Sequence, residues 1–542
     1  MTPDADLAII GSGFGGALLA MVVRRLGRRV LLLERGRHPR FAIGESASPL
    51  AGVVLESLAE RYDLPRLAPL ASYGAWRRTY PEVTCGLKRG FTFFRHDLDE
   101  RFRRAPDRST ELLVAASPSD ELSDTHWLRA DVDHFLVREA VDLGVEYLDE
   151  VHLDGFAWEP SGLAALSGTR AGRRLCVRVG SVVDASGPNG FLARVLALES
   201  PGFAGYPGTQ ALFSHFSGVA RCEDMPEYGA TARVLGCGGA GVRGCGGAEP
   251  PYPVDAAALH HVFDEGWMWV LRFGNGLTSA GVAVTDRLAA DLRLSDGEAA
   301  WRRLLARYPS IAAQFADAEP VREFTWMPRV AYRVSAAAGP RWALLPSAAA
   351  FVDPLFSTGI PLTLLGIERL AHLVDTGRLE SGGAAHGEAA GVESAAGYSR
   401  ATLAEADHTA SFVAGCYAAF PRFADFTAYA MFYFVAASFS EMARRLGGRP
   451  PGFLCAGDDG FAAALEDLSP ALARHDDLAA RVAAATERFN VAGLCDPAKR
   501  HWYGVDPEDT IRAAAKLGST PDCVRALFDV IGGPEDPVTD VH

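Results

Sequence analysis

The chain has 542 residues, of which 49% are hydrophobic and 22% charged, a composition typical of a globular protein rather than a disordered one. Its 67 acidic residues outnumber its 53 basic ones, which gives a net charge of −14. This surplus of acid disfavours nucleic acid or an anionic membrane as the main partner, because both bind clusters of lysine and arginine.

The nine cysteines are odd in number and scattered, so they do not predict a disulfide framework. The N-terminus has no signal-peptide pattern. The most apolar run, at 426–439, is shorter than the roughly 18 residues that indicate a membrane span. We therefore expect a soluble cytoplasmic protein without a membrane span. The same run predicts a buried core helix, with an aromatic wall over a substrate pocket as the alternative.

A dinucleotide-binding unit is predicted at the N-terminus. Asp6–Ile10 has the apolar pattern of a buried parallel strand and leads into the G-x-G-x-x-G motif at 11–16, which opens a helix at Ala17–Leu26. A second apolar strand, Val30–Leu33, ends at Glu34. Strand, glycine motif, helix, strand and acid in this order form the dinucleotide-binding fingerprint.

Each residue of that fingerprint has a physical task. Gly11 permits the tight turn, Gly13 lets the backbone approach a pyrophosphate, and Gly16 lets the helix pack on the strand. The helix N-terminus then faces the phosphates, and Glu34 accepts hydrogen bonds from ribose hydroxyls.

A second match to the glycine motif, at 236–241, is not followed by a helix pattern and predicts a flexible loop. We do not expect Cys237 and Cys245 to pair across it. The chain is therefore predicted to hold a single dinucleotide tightly.

Later segments have strand patterns that predict returns to the same sheet. They are Thr125–Asp133, Val145–Val151, Cys176–Val183 and Trp342–Leu345, with helices expected at 135–143 and 361–373.

Five motifs together resemble those of flavin-dependent halogenases, within the superfamily of FAD-dependent aromatic monooxygenases. They are the glycine motif at 11–16, GESASP at 44–49, CGLKRGF at 85–91, EGWMWVL at 265–271 and FVDPLFSTGI at 351–360.

The chain departs from the family pattern at three places. Leu271 and Arg272 stand where the paired-tryptophan motif usually ends in Ile-Pro, and Pro346-Ser347 replaces a Gly-Asp. Phe356 stands where tryptophan halogenases carry a glutamate. The resemblance therefore implies a phenolic or pyrrolic ring, or an acyl group tethered to a carrier protein, rather than free tryptophan.

From these segments we predict an α/β fold with a Rossmann-type FAD-binding domain, an interleaved substrate-domain β-sheet and a mostly helical C-terminal region. The predicted boundaries are 1–49, 116–194 and 326–376 for the FAD-binding domain, 50–115 and 195–325 for the substrate domain, 377–397 for a linker or mobile loop, and 398–542 for the helical domain.

The resemblance implies an enzyme that uses reduced FAD, supplied by a separate flavin reductase, with oxygen and chloride or bromide to make hypohalous acid. Lys88 would deliver the halogen to a small aromatic or carrier-tethered substrate. The implied cofactor-binding residues are Gly11, Gly13, Phe14, Gly16, Glu34, Ser46, Arg129, Val151, Asp353 and Ile360. Thr358 and Gly359 would bind the halide, and Trp267 and Trp269 would separate the flavin from the substrate.

Physical arguments support some of these assignments. Lys88 is the only lysine among the first 498 residues of an arginine-rich chain. A buried lysine can lose its proton and carry a halogen, whereas a guanidinium stays protonated. Trp267 and Trp269 lie two residues apart, so on a strand they face the same way.

Two other functions remain open on the sequence alone. One is a flavin monooxygenase or reductase on the same fold, and the other is a non-catalytic FAD-binding protein. We predict no metal site, because His260 and His261 are adjacent on a strand and have no partners at ligand spacing.

Overall fold

The structure is a computed structural model that describes residues 3–188, 190–228, 249–381, 394–471, 474 and 476–532. The second glycine-rich match at 236–241, with Cys237 and Cys245, lies outside the described residues, as do residues 382–393 of the predicted linker.

The strands are β1 (Ala5–Ile10), β2 (Val30–Leu33), β3 (Cys85–Lys88), β4 (Gly90–Arg95), β5 (Glu111–Ala115), β6 (Asp124–Trp127), β7 (Glu146–Leu148), β8 (Val151–Trp158), β9 (Ala164–Arg170), β10 (Arg173–Asp184), β11 (Thr209–Ser217), β12 (Ala258–Phe263), β13 (Gly266–Arg272), β14 (Thr278–Thr285), β15 (Glu319–Pro320), β16 (Thr325–Met327), β17 (Tyr332–Arg333), β18 (Ala338–Gly339), β19 (Trp342–Leu344), β20 (Ala350–Phe351) and β21 (Trp502–Tyr503).

The helices are α1 (Phe14–Arg25), α2 (Pro49–Arg61), α3 (Tyr73–Thr79), α4 (Arg129–Asp142), α5 (Phe191–Val195), α6 (Asp286–Leu292), α7 (Glu298–Arg307), α8 (Pro309–Gln314), α9 (Pro346–Ala349), α10 (Gly359–Asp375), α11 (Arg378–Ser381), α12 (Ala395–Ala419), α13 (Phe423–Arg445), α14 (Asp459–Asp467), α15 (Leu478–Thr486), α16 (Pro507–Arg512) and α17 (Pro521–Gly532).

The first sheet has a parallel core in the order β7-β2-β1-β10-β19, extended by β18, β9 and β8. Every residue of β2 is buried, as expected for a parallel strand covered on both faces. Helix α1 follows β1 and packs beside α4 and α10. This arrangement confirms the predicted strand–helix–strand unit at the N-terminus.

One predicted member of this sheet is wrong. The segment that begins at Thr125 contributes β6, which pairs antiparallel with β3 in a separate two-stranded sheet. Helix α4 then begins at Arg129, six residues before the predicted start. A short apolar strand pattern indicates that a strand forms, but its partner is chosen by residues far away in the chain.

The second sheet has nine strands, with β15-β11-β14-β13-β12-β4-β5-β21 in order and β16 beside β11. Its two faces bury different cores, because neighbouring side chains on a strand point to opposite sides. Along β13, Trp267, Trp269 and Leu271 face the core shared with the first sheet, whereas Met268 and Val270 face a smaller core under α6 to α8.

The C-terminal region is mostly helical in its described parts, and its strand β21 joins the second sheet beside β5. The apolar run at 426–439 lies within α13 as a buried core helix, as predicted. These features confirm the predicted fold class, while the exact domain boundaries stay a prediction. No helix among the described residues is long and apolar enough to cross a membrane.

Gly16 provides a test of the fold, because a Cβ there would lie 1.9 Å from the carbonyl oxygen of Gly11. We expect Gly16→Ala to lower the free energy of unfolding by about 1–3 kcal/mol, the usual cost of overpacking. Urea unfolding without added flavin measures the loss. The control is Gly460→Ala on α14, where the nearest atom is 3.5 Å away and stability should stay equal or rise. Equal stability of Gly16→Ala and the parent chain would contradict the packing.

Candidate functional site

A cavity of about 930 Å³ opens where the carboxyl ends of the parallel strands meet the second sheet. In α/β sheets of this type, ligands bind in the crevice at these strand ends. The predicted site residues that line it are Gly11, Gly13, Phe14, Glu34, Ser46, Arg129, Val151, Trp267, Trp269, Thr358, Gly359 and Ile360. Gly16, Lys88 and Asp353 do not line the cavity.

The glycine motif shapes one end of the cavity. Gly11 has φ = +101°, and a Cβ there would lie 2.7 Å from the carbonyl oxygen of Ala185, so the turn requires glycine. Gly16 packs on this turn rather than on the cavity, which agrees with its predicted role in packing helix on strand. The N-terminus of α1 faces the cavity and has no acidic residue in its first turn. Its dipole therefore favours an anion there.

Glu34 closes the same end and is held by a dense set of donors. Its carboxylate accepts hydrogen bonds from the N–H of Ser12 (3.0 Å), the hydroxyl of Ser12 (2.9 Å) and the N–H of Gly36 (2.9 Å). It also forms an ion pair with Arg40 (3.0 Å). Burial alone would raise the pKa of Glu34, but Arg40 and the two N–H groups outweigh burial and lower it to about 2. Glu34 is therefore an ionised acceptor at the cavity wall.

Arg129 lies at the start of α4 and connects the segment at 43–44 with the first turn of α1. It pairs bidentately with Asp133, through contacts of 2.8 and 2.9 Å, and donates to the carbonyls of Ile43 (2.8 Å) and Gly44 (3.1 Å). Asp133 also accepts from the N–H of Phe14 (3.1 Å). Arg129 therefore fixes the GESASP segment and the first turn of α1 in one arrangement.

The two tryptophans form part of the opposite wall. Trp267 and Trp269 both line the cavity, with ring centroids 5.7 Å apart, so the predicted common orientation is correct. The indole N–H of Trp269 donates to Ser279 (3.2 Å) and that of Trp267 to Asp353 (3.2 Å). Their bodies are buried and their polar atoms satisfied, which gives a rigid apolar wall.

Lys88 ends β3 directly behind this cavity and is 0% exposed. Its amine donates to the carbonyl of Ala47 and to the hydroxyl of Ser357 (3.3 Å), and lies 4.0 Å from the ring centre of Phe91. Ser357 itself lines the cavity, so one side chain separates the amine from it. Burial lowers the pKa of Lys88, because an ammonium away from water is costly.

The loop before α10 is strained. Phe356 and Ser357 have φ values of +63° and +56°, an uncommon conformation for residues other than glycine. The carbonyl of Phe356 accepts from the hydroxyl of Tyr433 (2.7 Å), and its ring lies among those of Phe93 (5.7 Å), Phe412 (5.1 Å) and Tyr433 (4.7 Å). This packing supports the strained backbone and directs Ser357 between Lys88 and the cavity.

Asp353 lies behind the tryptophan wall and does not line the cavity, and its contact with the flavin stays a prediction. Its carboxylate accepts from Trp267, from the hydroxyls of Tyr206 (3.1 Å) and Tyr417 (2.9 Å), and from the N–H of Leu355 (3.0 Å). It therefore joins the second sheet, the strained loop and helix α12 at one point. Burial raises the pKa of Asp353 to about 6 in spite of these donors.

His260 and His261 point to opposite sides of β12, as predicted. His260 lines the cavity and stacks on Phe93 (4.4 Å), whereas His261 bonds to His96 and Gln314 (2.8 Å each). Burial lowers the pKa of His260 to about 3 and of His261 to about 4. The described residues contain no cluster of three side chains suited to a metal ion.

Three residues of the site were not predicted: Ser357, Arg40 and Asp133. Asp133 follows Arg129 by four residues on a helix, a spacing typical of an ion pair, so this contact had a local signal. Ser357 belongs to the motif at 351–360, but no role was predicted for it, because its contact with Lys88 joins residues 269 positions apart. Arg40 had no signal beyond its closeness to Glu34.

The residues present fit FAD. The anion-favouring end of α1 suits the pyrophosphate, the ionised Glu34 suits the ribose, and a cavity of about 930 Å³ can hold a dinucleotide. Two buried polar atoms of the GESASP segment, Glu45 Oε2 and Ser46 Oγ, have no hydrogen-bond partner within the described structure, and both residues line the cavity. Buried polar groups of this kind call for a ligand or water as partner.

The raised pKa of Asp353 makes stability depend on pH. In the unfolded chain the pKa of this carboxyl is near 3.8, and in the folded chain it is about 6. The free energy of unfolding therefore falls as pH rises from about 4 through about 6. Between pH 4 and pH 7 we expect the parent chain to lose about 2 kcal/mol relative to Asp353→Asn, which cannot ionise. Urea unfolding at several pH values measures this difference. Asp291→Asn, an exposed position on α6, is the control and should show no such trend; an equal trend would refute the assignment.

No protein-family model matches the chain. The chain is 31% identical over 367 residues to the tetracycline 7-halogenase of Kitasatospora aureofaciens, a match that covers 66% of this chain and 61% of that enzyme. It is 29% identical over 372 residues to the monodechloroaminopyrrolnitrin halogenase PrnC of Pseudomonas fluorescens, covering 68% of this chain and 60% of the relative.

Among solved structures, that of halogenase PltM in complex with phloroglucinol and FAD aligns with a TM-score of 0.76 at 24% identity, covering 92% of this chain and 99% of that one. At this identity the likeness establishes the shared fold. The chain spans about three fifths of the length of the two curated relatives. In sequence the chain is thus similar to curated halogenases named for tetracycline and for an aminopyrrolnitrin precursor, and in fold it matches the solved structure of a halogenase.

Proposed function

We propose that the chain is a cytoplasmic FAD-dependent halogenase that transfers chlorine or bromine to an electron-rich aromatic ring. When bound, reduced FAD supplies the chemistry that turns oxygen and a halide ion into hypohalous acid. A separate flavin reductase would provide the reduced flavin. The supporting observation is the amine of Lys88, buried one side chain behind a cavity that fits the dinucleotide.

The position of Lys88 suits halogen delivery. Its amine is shielded from water, and burial favours the neutral form that has a free electron pair. Ala47 and Ser357 hold the amine by two hydrogen bonds, which fixes the direction in which that electron pair points. An arginine could not take this role, because its guanidinium stays protonated.

Thr358 and Gly359 are our proposed halide site. They line the cavity at the N-terminus of α10, a helix of 17 residues without an acidic residue in its first turn. The dipole of such a helix favours an anion at this end. Ser357, the residue before them in the chain, contacts Lys88, so the proposed halide site and the amine are neighbours.

The residue at position 356, which is buried beside the cavity loop, favours an aromatic substrate other than tryptophan. Phe356 replaces the glutamate of tryptophan halogenases, and its ring is buried in an aromatic cluster with Phe91, Phe93 and Tyr433. No carboxylate is thus available at this position to take a proton from an indole. An activated phenol or pyrrole, free or tethered to a carrier protein, loses its ring proton more readily. Trp267 and Trp269 would keep the flavin apart from that ring.

Glu34 tests the cofactor site. We expect Glu34→Gln to weaken FAD binding about tenfold or more, because a charged acceptor for a ribose hydroxyl contributes about 1.5–3 kcal/mol. Fluorescence titration with oxidised FAD gives the dissociation constant. Glu146→Gln, at an exposed glutamate on the neighbouring strand β7, is the matched control and should bind as the parent chain does. An unchanged constant for Glu34→Gln would remove Glu34 from the site.

Lys88 tests the activity itself. The assay supplies reduced FAD, oxygen and bromide with phloroglucinol, and mass spectrometry measures brominated product per flavin oxidised. We expect Lys88→Met, of similar length and without an amine, to lose at least about a hundredfold of this yield while FAD binding persists. Lys88→Arg should fail in the same way, since it keeps only the charge.

Lys499→Arg is the control, because Lys499 lies in the C-terminal region, away from the cavity, and forms a half-buried ion pair with Asp509. It should keep the yield of the parent chain. Full yield from Lys88→Met would refute halogen delivery by this amine. A hydroxylated product from the parent chain would instead support a flavin monooxygenase, and no product at all would support a non-catalytic flavoprotein.

A further inference from the structure

A buried carboxylate, that of Asp124, lies opposite Lys88 in the two-stranded sheet. The register of β3 and β6 pairs Lys88 directly with Asp124. Side chains in this relation leave the same face, with Cβ atoms about 4.5–5.5 Å apart. Asp124 is 5% exposed and Lys88 0% exposed. Two ionisable groups of opposite type thus lie close together, away from water, and burial raises the pKa of Asp124 to about 7 although Lys88 lowers it.

The carboxylate has no other clear task. Asp124 Oδ2 is buried and has no hydrogen-bond partner within the described structure, a costly state for a carboxylate. Its contact with Lys88 is not a direct ion pair, since the amine donates to Ala47 and Ser357 instead. The carboxylate therefore acts on the amine through its charge, which is strong at short range in a dry interior.

The other charged groups around the pair are few. His126 on β6 and His260 on β12 also face Lys88, and burial lowers the pKa of each to about 3, so both are neutral. Helix α13 brings Glu441 and Arg445 toward Asp124, and these two pair with each other at 3.0 Å. Arg445 also pairs with Glu56 at 3.5 Å. Glu441 is thus already paired, and Asp124 is the carboxylate whose charge acts on Lys88.

We propose that Asp124 is a positioning residue that sets the protonation state of the Lys88 amine. When the ammonium loses its proton, an N–H bond breaks, the electron pair stays on nitrogen, and the proton passes by way of the Ser357 hydroxyl, which accepts from the amine and lines the cavity, to water. The charge of Asp124 sets the pH at which this step occurs. The neutral amine is then free to receive the halogen. This inference rests on the function proposed for Lys88, but its central test does not require activity.

The sequence itself makes a direct measurement practical, because the chain has only three lysines: Lys88, Lys499 and Lys516. Lys499 and Lys516 are half-buried and form ion pairs with Asp509 and Glu487. In a Lys499→Arg/Lys516→Arg background with isotope-labelled lysine, the NMR signal of the side chain comes from Lys88 alone. Its chemical shift against pH then gives the pKa of Lys88 in the full chain without flavin.

We expect Asp124→Asn to lower the pKa of Lys88 by at least one unit, the usual effect of losing a close opposite charge. Asp124→Ser, which also lacks the charge, should lower it in the same direction and serves if the first variant folds poorly. Asp120→Asn is the matched control: this exposed carboxylate lies four residues earlier and pairs with Arg89. An unchanged or raised pKa in the charge-removing variants overturns the inference.

A second measurement connects the pair to catalysis. The acid limb of the pH profile for brominated product per flavin oxidised should move to lower pH in Asp124→Asn, and Asp124→Glu should restore it toward the parent profile. A limb that stays in place contradicts the inference. The two failures are distinguishable: full halogenation by Lys88→Met refutes the proposed function, whereas an NMR pKa insensitive to Asp124 refutes only this inference.

Discussion

One buried amine constrains the layout of the whole site. An ammonium or amine removed from water needs polar partners, and Lys88 obtains them from Ala47 and Ser357. Asp124 lies opposite Lys88 in the two-stranded sheet, so three distant parts of the chain surround the amine. The GESASP segment, the strained loop and strand β6 must therefore meet at the end of β3. Through Ser46 and Ser357, two of these parts also form the cavity wall. The position of the lysine and the shape of the cavity are thus fixed together.

Asp353 extends this constraint to the C-terminal region. Its carboxylate receives a donor from strand β13, another from helix α12 and a third from the strained loop. A shift of any of these elements would leave a buried donor or acceptor unpaired, at a cost of about 1–3 kcal/mol. The helical region therefore supports the tryptophan wall without lining the cavity itself, which explains why its aromatic run behaves as core.

The departures from the family pattern have structural roles in this chain. Arg272, in place of the usual proline, donates to Asp255 (2.9 Å) and to the carbonyl of Val219 (2.9 Å), so it anchors the end of β13. Leu271 keeps an apolar side chain on the cavity wall. Phe356 exchanges a carboxylate for a ring that completes an aromatic cluster. None of these changes places a competing charge beside Lys88.

The sequence by itself determined the dinucleotide-binding unit, the common face of Trp267 and Trp269, the opposed His260 and His261, and the core helix at 426–439. These follow from local rules, because turn glycines, strand alternation and helical periodicity act within a few residues. Only the tertiary structure decided that β6 pairs with β3 and that Asp353 lies behind the tryptophan wall. It also decided that Ser357 accepts a hydrogen bond from Lys88 and that Asp124 lies opposite Lys88. Such contacts join residues 36 to 269 positions apart, and no local pattern encodes them, since the partner is selected by how the sheets pack.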